Sequence, residues 1–210
     1  MGKTNKKQAS YKELFDTLDP APVWRNRTCV LWLLKKKAYK KKLKTYDYIR
    51  KDVHETDVSK DEKYQKRFNG FYRMGRRKPE WYDFYFNLLE KEKHEKISFE
   101  VVLKKIENHT GRVEASFASK LVATIDPEKP VWDTFVLQNL NLGRPPSSQP
   151  REARIQQCIT VYNEICKRVK YLADSPEGAR WIKQFDKALP KFKHFTATKK
   201  IDLLLWQAGR

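Results

Sequence analysis

The stretch Pro79-Glu-Trp-Tyr-Asp-Phe-Tyr-Phe-Asn-Leu-Leu-Glu-Lys-Glu92 constrains the fold more than any other part of the chain. Pro79 suits the first position of a helix, where its missing N–H has no intrahelical partner to lose. Trp81, Tyr82, Phe84, Tyr85, Phe86, Leu88 and Leu89 then place large apolar groups on nearly every side of that helix. A helix that is apolar around most of its circumference must be buried on more than one face, which predicts the centre of a multi-helix bundle.

The flanking segments read as helices too. Ser10-Tyr-Lys-Glu13 has capping-box spacing and opens a short helix through Leu18, and Ser59-Lys-Asp-Glu62 repeats the signature ahead of the Tyr64 and Phe68 pair and Gly70. Between them, residues 35–44 hold seven lysines. A helix there would leave Leu31, Leu34, Ala38 and Leu43 as a narrow buried stripe. Its lysines suit either phosphate contacts or plain solvation. Ser98 caps a helix to about His109, with Phe99, Val102, Leu103 and Ile106 inward. Residues 142–150, rich in proline, form the clearest linker. A long helix over residues 152–172 follows, Ser175-Pro176 starts another that ends before Pro190, and Thr198 caps a last one carrying Ile201, Leu204, Leu205 and Trp206. No strand pattern of comparable strength and no internal repeat appears, so the expected class is all-α.

The function is expected in residues 110–133. Gly111 can adopt the left-handed backbone that ends one helix and turns the chain. The helix after it carries Ala115, Ala118, Leu121, Val122 and Ile125 on one face, small residues first, and its opening amides suit a phosphate. Asp126-Pro127 stops that helix. Asp133 then stands directly before the apolar run of Phe135, Val136, Leu137 and Leu140, where the bland role of its carboxylate is an N-cap. Composition points to the partner: 45 Lys and Arg against 26 Asp and Glu give a net charge of +19, the signature of a polyanion-binding chain. The basic turn Arg73-Met-Gly-Arg-Arg-Lys78 between aromatics adds to it, with Arg73, Arg76 and Arg77 as phosphate contacts. No run of membrane-spanning length and no signal segment is apparent, so a cytoplasmic protein is expected, nucleoid-associated in a bacterium.

Other chemistries find little support in the residues. His54, His94, His109 and His194 show no metal-ligand spacing with one another or with Cys29, Cys158 and Cys166, which are expected to be reduced and structural. There is no Gly-Lys-Ser/Thr phosphate loop and no nucleophile elbow. Acidic residues such as Asp83 and Glu90 lie in helical patterns without a nuclease constellation.

Residues 110–133 resemble the hairpin, helix, turn and aspartate of the helix-hairpin-helix DNA glycosylases, in which a hairpin grips the DNA backbone and an aspartate follows a Pro-Val-x-Asp-like turn. Pro130-Val131-Trp132-Asp133, followed by Val136, carries the likeness. The hairpin departs from the pattern: Gly111, Arg112, Val113 and Glu114, then Phe117-Ala118, stand where the family has Gly-x-Gly followed by Thr-Ala. Aligned on Ala118 and Asp133, the lysine of lyase-competent members falls on Ser116, and Lys120 lies one helical turn further on.

Residues 1–9, polar and basic, are expected to form a flexible arm, and the resemblance implies a single two-lobed helical domain over 10–210. One lobe, about 79–142, would carry the hairpin and the aspartate, and the N-terminal segment would pack with 151–210. It implies a monofunctional DNA glycosylase acting as a monomer on double-stranded DNA, without metal or cofactor, Asp133 being catalytic. Lys120 would serve in lyase chemistry or contact a phosphate, and Gly111, Arg112 and Ser116 would face the DNA. Trp132 would wall the base pocket, and Trp81 and Tyr85 read as core first and base pocket second. The rival readings are a non-enzymatic helix-hairpin-helix DNA-binding module and, third, a metal-dependent nuclease.

Overall fold

The computed structural model describes residues 34–208. The arm at 1–9, the helix expected from Ser10, Cys29 and Leu31 lie outside them. In chain order the helices are α1 Lys37–Asp52, α2 Glu62–Tyr72, α3 Pro79–Glu92, α4 Phe99–Thr110, α5 Ala115–Ile125, α6 Thr134–Asn139, α7 Arg151–Asp174 and α8 Pro176–Ala188; a 3-10 turn, Pro190–Phe192, precedes α9, Ala197–Ala208. No strand occurs among the described residues, so the all-α class holds. No helix among them is long and apolar enough to cross a membrane.

One hydrophobic cluster runs from Leu34 to Trp206. Its central helix is α5, not the aromatic α3 that the sequence suggested. Eight of the eleven residues of α5 are buried, from Ala115 through Ala118 to Thr124, and α1 and α4 pack on it. Its alanines and serine let those neighbours come close on several sides. Helix α3 keeps a solvent row of Asp83, Asn87 and Lys91 at four-residue spacing. Trp81, Tyr82 and Phe84 are only half-buried, Phe84 being covered by the parallel ring of His109 at 3.7 Å between centroids. Around α5, helix α7 packs against α4, α8 and α9, and α9 closes over α6.

Three local expectations shift by a few residues. In α1 the buried stripe is Tyr39, Leu43, Tyr46 and Ile49, with Leu34 ahead of the helix proper, while Ala38 is exposed. Tyrosines replace the small residue because the stripe needs volume to reach Phe71 and Phe195, whose rings lie 5.7 and 5.1 Å from Tyr46. Helix α2 is capped by Asp61, which accepts from Tyr64 N, instead of Ser59, whose hydroxyl is committed to Asp57. It also runs through Gly70 and stops at Arg73, which takes the left-handed conformation (φ 54°). Thr196, not Thr198, accepts the Lys199 amide at 3.1 Å and caps α9.

Two glycines give opposite expectations. A Cβ at Gly178 would lie 1.8 Å from the Leu172 carbonyl oxygen, so the α7–α8 corner closes only around glycine. Gly178→Ala is therefore expected to destabilise by about 1–3 kcal/mol, as overpacking does. At Gly70, exposed within α2, nothing lies within 4 Å of such a Cβ. Gly70→Ala should stabilise by about 0.5–1 kcal/mol from helix propensity alone. Urea midpoints of the two variants measure both signs, and a stabilised Gly178→Ala would mean that the corner is looser than described.

Candidate nucleic-acid interface

The loop between α2 and α3 is anchored from beneath. Met74 is buried, its carbonyl accepts from the Tyr82 hydroxyl, and its amide bonds to Asn69 O at 2.9 Å. Arg76, with φ 66°, and Lys78 are left facing water. Across from this loop is the turn from α4 into α5. Gly111 has φ 67°, its amide bonds to Glu107 O at 2.8 Å, and the Thr110 hydroxyl accepts from Arg112 N. A side chain at Gly111 would be strained by that φ, and its Cβ would lie 3.7 Å from the Arg151 guanidinium.

Three clefts meet around this turn. One of 450 Å³ lies between the 76–81 loop and residues 109–114, and includes Arg76, Arg77, Lys78, Trp81, His109 and Arg112. A second, of 430 Å³, runs from Gly111 and Arg112 to Arg151 and Arg154 at the start of α7. The third is a cavity of 190 Å³ walled by Ser116, Phe117, Trp132, Cys158, Arg144 and Arg154. Glu114 borders all three. Six of the chain's fourteen arginines but one of its 31 lysines line these clefts. Arginine's planar fork suits phosphate oxygens and aromatic faces better than an ammonium does, so the groove is chemically distinct from the lysine-covered α1. Arg144, Arg151 and Arg154 were not singled out in the sequence. Their signal was basic residues on both sides of the proline linker.

Two buried glutamates pair with arginines of the groove. Arg77 pairs with Glu114 at 2.7 Å and Arg151 with Glu107 at 2.8 Å, and both glutamate side chains are more than nine-tenths buried. Glu114 occupies the N-cap position of α5 without a capping hydrogen bond, so the start of that helix already carries an intramolecular anion. Its amides are therefore less open to a phosphate than the sequence suggested. The flanking arginines supply the positive field instead.

Of the proposed base-pocket residues, Trp81 and Tyr85 pack together, but Trp132 does not join them. Tyr85 is fully buried, donates to Phe117 O at 3.0 Å, and has its phenol pushed well above the ordinary range by burial; it is core. Trp81 borders the 450 Å³ cleft, with Tyr85 stacked on it at 5.0 Å and the Arg77 guanidinium 5.3 Å from its centroid. Trp132 walls the separate 190 Å³ cavity, and Ser116, at the lysine position of the resemblance, lines the same cavity. Lys120 is buried with its ammonium 4.8 Å from the Phe117 ring centroid and borders none of the three clefts. Arg73 ends α2, exposed, and also lies outside them.

Asp133 caps α6, Oδ1 accepting from Phe135 N at 3.0 Å. It sits half-buried between Trp132, which walls the cavity, and Thr134, whose hydroxyl accepts from Arg144, another wall residue; Asp133 itself does not line the cavity. The turn leading to it is held at four successive residues. Lys199 Nζ donates to Lys129 O (3.0 Å), the Tyr162 hydroxyl to Pro130 O (3.0 Å), Val131 N to Asp202 Oδ1 (3.0 Å) and Trp132 N to Ser119 Oγ (2.8 Å). Side chains from α5, α7 and α9 thus converge on one short segment, and a side chain positioned by several packed elements is held far more tightly than one on a free loop. Sequence reasoning missed these partners, although Asp202 inside the apolar run of α9 was a visible anomaly.

Cys158 and Cys166 are free thiols. Burial raises both, Cys166 to about 11, so neither is a ready nucleophile at neutral pH. Among the described residues no three His, Cys, Asp or Glu side chains gather as a metal-ligand set. Compared with known proteins, the chain matches no family model, no curated protein and no solved structure.

If the groove carries phosphates, affinity for duplex DNA should fall steeply with salt as counterions are released. Arg76→Ala and Arg112→Ala, which alter exposed side chains, should each lower the salt slope by about 1. Fluorescence anisotropy across a salt series reads this directly, and a slope unchanged in both variants would move the contact surface elsewhere.

Proposed function

We propose that this chain binds double-stranded DNA along the arginine-lined groove, as a monomer, and removes a base by hydrolysing its N-glycosidic bond at Asp133. The observation that carries this reading is the 190 Å³ cavity walled by Ser116, Phe117 and Trp132, the residue directly before Asp133; the cavity shares Val113, Glu114 and Arg154 with the neighbouring arginine-lined cleft. An apolar cavity of about 150 Å³ accepts a benzene ring, so this one has room for a flipped heterocycle. Departure of the base leaves positive charge on the sugar, and a carboxylate held by Phe135 N at the end of a turn fixed at four successive backbone positions would stabilise that charge with little reorganisation. Ser116 has no amine with which to form an imine, so the activity is monofunctional. In this reading the hairpin lobe, about 79–142, and the helices after residue 150 form the two walls of the groove.

A second reading has its own support. The hydrogen bond from Phe135 N to Asp133 is that of an ordinary N-cap, which is all that a DNA-binding module needs there. Free-base release separates the two. DNAs of different modification content are incubated with the protein in EDTA and the supernatant is read by mass spectrometry. A released base supports the glycosylase; tight binding with no release from any DNA supports the module; release or cleavage that stops with EDTA overturns both.

A further inference from the structure

Two residues bordering the 450 Å³ cleft each carry a buried polar atom with no hydrogen-bond partner, one an acceptor and one a donor. Glu114 Oε2 is the acceptor; its sister oxygen holds Arg77. The donor is Trp81 Nε1. Orphaned buried groups are rare because each costs desolvation without recompense, and a pair of opposite sense at one cleft is complementary to a ligand edge carrying a donor beside an acceptor. Tyr85 and Arg77 cover the ring of Trp81, so its N–H edge is what it has to offer. The platform for stacking is His109: exposed, it lies flat on Phe84, the two rings 5° from parallel. Arg76, Lys78 and Arg112 surround these groups with positive charge.

We infer that this cleft is a second site, for an unpaired nucleotide whose base carries an exocyclic amino group. The base stacks on His109, its amino group donates to Glu114 and its ring nitrogen accepts from Trp81, while the phosphate lies among Arg76, Lys78 and Arg112. Arg77, at 23% exposure the more accessible partner of the ion pair, is the side chain that yields to admit the base edge. Cytosine and adenine present the required pattern. Thymine also sets a donor beside an acceptor, but its ring N–H lies between two carbonyl oxygens that repel the carboxylate, so it binds more weakly. The site shares Glu114 with the cavity beside Trp132 but is otherwise lined by different residues, and the inference rests on the proposed function only in taking nucleic acid as the partner.

The test is anisotropy of labelled single-stranded decamers of deoxycytidine or thymidine with the full chain. The deoxycytidine strand is expected to bind about tenfold more tightly, the scale of one hydrogen bond to a charged group. Glu114→Gln and Trp81→Phe, both close in shape to the native residue, should each remove that preference and leave thymidine binding in place. His109→Ala should weaken both strands alike. Thermal melts show which variants are folded, and Trp81→Phe, which leaves the Arg77–Glu114 pair intact, carries the test if Glu114→Gln unfolds. Equal binding of the two strands by the wild type, or a preference that survives Trp81→Phe, overturns the second site, and base release from duplex DNA would then leave the proposed function standing. Absence of binding to either strand and to duplex DNA removes both.

Discussion

Asp133→Asn is expected to lower base release by about 10²–10³-fold, the usual effect of removing one preorganised electrostatic group, with the fold and DNA affinity retained. Asparagine caps a helix about as well as aspartate, so the bond from Phe135 N survives. The segment before it is untouched, because the groups holding Lys129, Pro130, Val131 and Trp132 come from other helices. What disappears is the negative charge that meets the developing cation. Binding should tighten slightly, since one carboxylate fewer faces the phosphates. Base release and thermal unfolding measured on one preparation separate the roles: unchanged release would reduce Asp133 to a cap, and a large loss of stability would show that the cap is worth more than expected. With Ser116 at the lysine position, abasic sites should remain uncut. A borohydride-trapped adduct that is lost in Lys120→Ala would show instead that imine chemistry has moved one turn along α5.

Asp202→Ala is expected to destabilise the protein by about 3–5 kcal/mol, because it strands a charge in the core. Lys199 and Asp202 are each 1% exposed and pair at 2.8 Å. Burial pushes the Asp202 carboxyl above its ordinary value, against the opposing pull of the Lys199 ammonium and the Val131 amide. Removing the carboxylate leaves the ammonium with the Lys129 carbonyl and leaves Val131 N with no acceptor. The double variant Asp202→Ala/Lys199→Met should cost clearly less than the sum of the single changes, since neither charge then remains buried alone. Urea titrations of the three variants measure the coupling, and additive losses would mean that the pair is solvated. Because the pair holds the turn ahead of Asp133, residual base release by the double variant should fall further than its stability does.

Helix boundaries were legible because their signals are local. Pro79, Ser98, Asp133 and Ser175 sit at or next to the cap positions, and Asp126-Pro127 ends α5. A cap acts over three or four residues, so one stretch of chain contains all of the information. Where two candidates lay within reach, as with Ser59 and Asp61 or Thr198 and Thr196, spacing alone did not choose. Burial was harder to read. The aromatic residues of α3 suggested the helix at the centre of the bundle, yet large rings can cover neighbours while half-exposed, and the most enclosed position went to the small-residue helix α5.

The amino-acid sequence by itself determined the all-helical class, most helix starts and the excess of positive charge, all set by residue type and short-range order. Only the tertiary structure decided which charges matter together. Arg77 meets Glu114 across 37 positions, Arg151 meets Glu107 across 44, and Asp202 reaches Val131 across 71. It also sent Tyr85 into the core and separated Trp81 from Trp132. Such pairings leave no periodic trace in the chain, because their strength comes from the burial that the packed helices create.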